Sequence, residues 1–128
     1  MRHLPILDIP ATFRRGKSVE QFLGRSPLHP DYIRHIELRP VDGSVQIWVY
    51  DVQDIGREQY TDLYDFPYLA PEDLDAAAAT FQAPNEAIAY AETSLVAHPH
   101  RWVNLGVAES EYLEYIRAGR PAVWPEMA

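Results

Sequence analysis

The clearest pattern along the chain is two apolar-rich runs, residues 32–39 and 45–52, with a polar break between them. Both runs are rich in β-branched and aromatic side chains, and Asp42-Gly43 lies between them. Asp-Gly suits a type I′ turn, whose twist matches that of the strands it joins. With those two residues as the loop, Val41 faces Ser44. Leu38 then opposes Ile47 and Ile36 opposes Val49 on one side of the sheet. Glu37 opposes Trp48 and His35 opposes Tyr50 on the other. The first side reads as core. The second is amphipathic, either beneath a helix or open as a surface.

Around this hairpin the pattern predicts further elements. Residues 1–17 read as an extended arm or edge strand. Residues 18–23 read as a short helix, with Ser18 and Gln21 as a capping pair and Gly24 as the stop. Residues 59–66 alternate in part and predict a third strand, with Tyr60, Tyr64 and Phe66 along one sheet face. Residues 71–81 predict a helix from Pro71 at its start, from Leu74, Ala78 and Phe81 at helical spacing, and from a run of alanines. A second helix over 85–97 carries Ile88, Ala91 and Leu95 on one stripe and ends before Pro99. Residues 102–107 predict a strand. Residues 109–118 predict a last helix, with Tyr112, Leu113 and Ile116 inward and Gly119 ending it. The expected fold is α+β: a small antiparallel sheet around the hairpin 32–52, with helices packed on one face. The expected organisation is a single domain over 1–119 and a flexible tail over 120–128, where Trp124 has the means to dock.

Composition narrows the partners. The 128 residues carry a net charge of −8 and no cysteine. Nucleic acid and anionic membranes need positive charge, so a basic protein is the favoured partner. Without cysteine there are no disulfides, thiolate nucleophiles or thiolate metal sites. Residues 1–15 lack the sustained apolar stretch of a signal peptide, and no run approaches the ~20 apolar residues of a membrane span. The cytoplasm is the expected location.

The charge is concentrated. Residues 51–75 hold eight acids and one base, a local charge of −7. Tyr60, Tyr64, Phe66 and Tyr68 are interleaved with them. The acids lack the i,i+4 bases of a stability network. Such a field steers a basic partner while exposed rings anchor it. A solvated face is the plain alternative.

Other chemistry finds little support. The serines sit at caps, turns and helices, outside any G-x-S-x-G elbow. His98 and His100 share a segment, but a metal needs three or four ligands, so no metal and no cofactor is expected. The glycines form no phosphate-binding fingerprint. His35 and Glu37, with Trp48 and Tyr50, are the one sheet face where a small acid–base or ligand site is conceivable. A small enzyme or ligand-binding domain on that face is one alternative function; a homo-oligomeric structural domain is another.

The stretches VQIWVYDVQDIGREQYTDLYDFP and HRWVNLGVAESEYLEYI, in a small acidic cysteine-free α+β chain, resemble the bacterial immunity proteins of contact-dependent growth inhibition and related polymorphic toxin systems. The resemblance implies a non-catalytic protein that binds a cognate toxin domain stoichiometrically. Such a toxin is often a nuclease, whose phosphate-binding surface the acids would occupy. It assigns Asp51, Asp54, Glu58, Asp62 and Asp65 to charge and Tyr60 and Tyr64 to anchoring.

Overall fold

Asp42 and Gly43 both adopt positive φ, 49° and 81°, as a type I′ turn requires. They join strand β2 (Tyr32–Val41) to strand β3 (Ser44–Gln53). The register is the expected one: Leu38 pairs with Ile47, Ile36 with Val49, Glu37 with Trp48 and His35 with Tyr50. In this computed structural model, which describes residues 2–125, the hairpin lies inside a five-stranded antiparallel sheet. The other strands are β1 (Val19–Arg25), β4 (Ala79–Phe81) and β5 (Val103–Asn104), in spatial order β4-β3-β2-β1-β5. The helices are α1 (Ile9–Arg14), α2 (Pro84–Ser94) and α3 (Ala108–Arg117). The α+β class stands.

The helices cover both faces rather than one. Ile36, Leu38 and Ile47 pack against Ile9 and Phe13 of α1 and Ala87, Ile88 and Ala91 of α2, with Trp102 fully buried among them. The opposite face carries Phe22, Ile33, Tyr50 and Val52 against Ala108, Tyr112 and Tyr115 of α3. Leu63 and Phe66, from the long connection after β3, complete that second core.

Four local expectations are corrected. Residues 18–23 are strand, not helix: β1 lies between β2 and β5, and Val19, Glu20, Gln21 and Phe22 are all buried. Ser18 donates to Glu37 instead of capping, and Gly24 sits at a β-bulge with φ 87°. Residues 6–14, expected as extended, form a 3₁₀ turn (Ile6–Asp8) leading into α1, with Pro10 in its first turn. The expected third strand over 59–66 is a single Arg57–Tyr60 bridge followed by a 3₁₀ turn, Leu63–Asp65. Asp62 accepts from the Tyr64 backbone N–H at 3.1 Å, and this local turn replaces a ladder. The expected helix over 71–81 shrinks to one 3₁₀ turn, Pro71–Leu74, after which Ala79–Phe81 joins the sheet edge. As an edge strand, Ala79 and Phe81 pack against the first core, and alanine propensity alone does not hold a short helix against that burial.

Residues 120–125 pack on the body. Arg120 reaches Asp54, and the Trp124 ring lies 5.7 Å from Tyr115 and 6.4 Å from Phe22.

Candidate functional site

The pleat puts His35 and Glu37 of β2, Trp48 and Tyr50 of β3, and Glu20 of β1 on the same side of the sheet. The α3 end of this side is packed. Its other end is crossed by the turn Leu63–Asp65, which lays Tyr64 over the strands. The acidic-aromatic segment and the second sheet face, separate candidates in the sequence, therefore meet at Tyr64.

Glu37 accepts four hydrogen bonds from three residues. Arg39 donates through Nε and Nη2 at 3.0 Å each, Ser18 Oγ at 2.7 Å and Tyr50 Oη at 3.3 Å. Burial works to raise its carboxyl, but these donors outweigh it and hold the group below the usual range. The Arg39 guanidinium also lies over the Trp48 ring, 4.3 Å from its centroid.

Glu20 pairs directly across the strands with Glu37. Its carboxylate accepts from Tyr64 Oη at 2.9 Å and from the backbone N–H groups of Gly106 at 2.7 Å and Ala108 at 3.0 Å. Those bonds satisfy its oxygens. They bring no positive charge, and among the described residues Glu20 has no cationic partner. Burial raises its carboxyl above the ordinary value despite these donors.

His35 is fully buried between rings, 5.0 Å from Tyr50 and 4.9 Å from Tyr64 between centroids. Neither ring nitrogen has a hydrogen-bond partner among the described residues. Burial pushes it down to about 3, so the ring is neutral. Above this layer is a shallow groove of about 520 Å³ lined by Glu37, Arg39, Tyr50, Tyr64, Leu74, Leu105 and Gly106. Leu74 and Leu105 are 46 % and 51 % exposed, so apolar surface flanks the carboxylates.

The seven residues assigned from the sequence divide into fold and surface. Asp51 is buried on the opposite side of the sheet, where Arg34 grips it at 2.9 and 3.0 Å and Ser26 donates at 2.7 Å. It is unreachable by a partner, which corrects its assignment as a contact. Asp54 accepts from Tyr112 Oη at 2.7 Å and pairs with Arg120 at 3.1 Å. Glu58 is on the surface but paired with Arg117 at 2.8 Å, which holds its carboxyl below the usual range. Tyr60 packs its ring on Phe66 and donates to Asp65 at 2.7 Å. Asp62, Tyr64 and Asp65 are exposed on the turn.

No protein-family model, curated protein or solved structure matches this chain.

The sequence reading passed over Glu20, Leu74 and Leu105. Glu20 was hidden by the helix reading of its segment; as a strand, its position opposite Glu37 would have marked it. Leu74 sat on a helix stripe that does not form. Leu105 follows the two-residue strand β5 instead of extending it. Among the described residues, no group of three or more His, Asp or Glu is placed to hold a metal ion, and the His100 N–H donates to His98 Nδ1 at 3.0 Å. No described helix is long and apolar enough to cross a membrane.

Proposed function

We propose that this protein is an immunity or inhibitor protein that binds a basic partner, a toxin domain of the nuclease kind, in the cytoplasm. One observation carries the reading. The fold uses three acids of the 51–75 segment, pairing Asp51, Asp54 and Glu58 with Arg34, Arg120 and Arg117. Asp62, Asp65, Glu72, Asp73 and Asp75 remain without a cationic partner among the described residues. They stand on two turns, Leu63–Asp65 and Pro71–Leu74, that flank the exposed rim of the groove. Unbalanced charge beside exposed Tyr64 and Leu74 combines steering with an apolar anchor.

Co-expression with any toxin domain encoded beside the gene tests this reading. The intact protein should rescue growth. The double variant Asp62→Lys with Asp65→Lys should slow association by about tenfold and flatten its salt dependence. A toxin that stays lethal in the presence of the intact protein sinks the proposal.

A second reading, a ligand-binding or catalytic role for the same sheet face, is favoured by the groove and by the unpartnered His35 beneath it. Small-molecule binding that quenches Trp48, with no effect of the acidic reversals, would support it.

A further inference from the structure

The end of α1 and the loop after it read Arg14-Arg15-Gly16-Lys17, and all four residues are exposed. None of the three cations has an acidic partner among the described residues. Arg15 and Lys17 line a shallow cleft of about 710 Å³ together with Asn104 and Leu105. Leu105 also walls the neighbouring groove, with Tyr64 and Leu74. One continuous surface therefore runs from the basic loop, across Leu105, to the two acidic turns. Its middle is apolar: Tyr64, Leu74 and Leu105 are 38 %, 46 % and 51 % exposed. Glu37, the one carboxylate among the described groove residues, is already paired with Arg39, so the middle offers no free charge. The free charges stand at the ends, Arg15 and Lys17 at one and Asp62, Asp65, Glu72 and Asp75 at the other.

A surface with a positive end, an apolar middle and a negative end matches its own copy after a half-turn. We infer that this face is the contact between two copies of the chain. Each copy's basic loop lies against the other's acidic turns, and Leu74 and Leu105 meet near the two-fold axis. The net charge of −8 opposes association at long range. Salt at physiological strength screens that repulsion beyond about 8 Å, while charges in contact keep more of their attraction. The inference goes beyond the partner reading and does not depend on it. The second copy covers the acidic turns, so a basic partner that uses them binds by displacing it.

The test is sedimentation equilibrium of the full chain from micromolar to millimolar concentration. The native protein should approach the mass of two chains at the top of this range. Arg15→Glu with Lys17→Glu sets acid against acid, and Asp65→Lys with Glu72→Lys sets base against base. Each double variant alone should weaken the dimer by at least about tenfold in Kd. An equal mixture of the two should recover a heterodimer, because every opposed contact is again of opposite sign. Leu105→Asp, on an exposed turn in the apolar middle, should also dissociate the pair. A native chain that stays monomeric throughout, or a dimer that Leu105→Asp leaves intact, overturns the inference. So does a mixture that stays monomeric while each variant keeps the native urea midpoint. The two proposals fail separately. Arg15→Glu with Lys17→Glu leaves the acidic turns intact, so it should neutralise the toxin as a monomer. A monomeric native chain that neutralises the toxin leaves the inhibitor reading without the dimer. A dimer that neutralises no toxin stands without the inhibitor reading.

Discussion

His35 is a polar ring sealed among aromatic neighbours with both nitrogens unpartnered. A buried polar group left unpaired carries its full desolvation cost. His35→Leu removes that cost at similar volume and should be neutral or stabilising at pH 7, by about 1–3 kcal/mol. The sign of the pH effect follows from the depressed value of about 3 against the ordinary 6.5. Between them the unfolded chain binds a proton that the folded chain does not, so stability falls as pH falls through that window. The slope contributed is about 1.4 kcal/mol per pH unit. Urea unfolding at pH 6.5 and pH 5 should show this loss in the native protein and lack it in His35→Leu. A native slope that persists unchanged in the variant would remove His35 as its source.

At the scale of elements, the hairpin was readable because its signals are local: an Asp-Gly turn with runs of β-branched and aromatic residues on each side. Strand β1 was not, because it is buried on both faces and shows no alternation. Its cap-like Ser18, Gln21 and Gly24 all serve distant partners. Gln21 exchanges two hydrogen bonds with the backbone of His98, at 3.0 and 2.6 Å. Gly24 bends the strand at φ 87°, where a Cβ would stand 2.6 Å from the Trp124 Cβ. Gly24→Ala should therefore cost about 2 kcal/mol of stability through the left-handed backbone, with the displacement of Trp124 in addition. Urea unfolding gives the cost and indole exposure reports the displacement. An unchanged midpoint would mean that the bulge relaxes freely.

For the whole molecule, the charge that sequence counting assigned to one segment is divided between construction and display. The division is invisible in sequence because its cations come from elsewhere: Arg34 is 17 residues from Asp51, and Arg120 is 66 from Asp54. The two groups of acids should respond differently to the same change. Asp51→Ala leaves Arg34, 14 % exposed, without its partner, and should cost about 3–5 kcal/mol. Asp62→Ala on the exposed turn should stay within about 0.5 kcal/mol, apart from its small capping contribution. Denaturant midpoints check both, and comparable losses would return Asp62 to the fold. The three tryptophans also give the molecule separate optical reporters. Trp102 is sealed in the core beneath α1 and α2, Trp48 lies under Arg39 at the groove, and Trp124 lies on the C-terminal segment 5.7 Å from the Arg101 guanidinium. With the other two replaced by phenylalanine, each remaining indole's emission colour follows one district: groove occupancy, detachment of the C-terminal segment, or loss of the core.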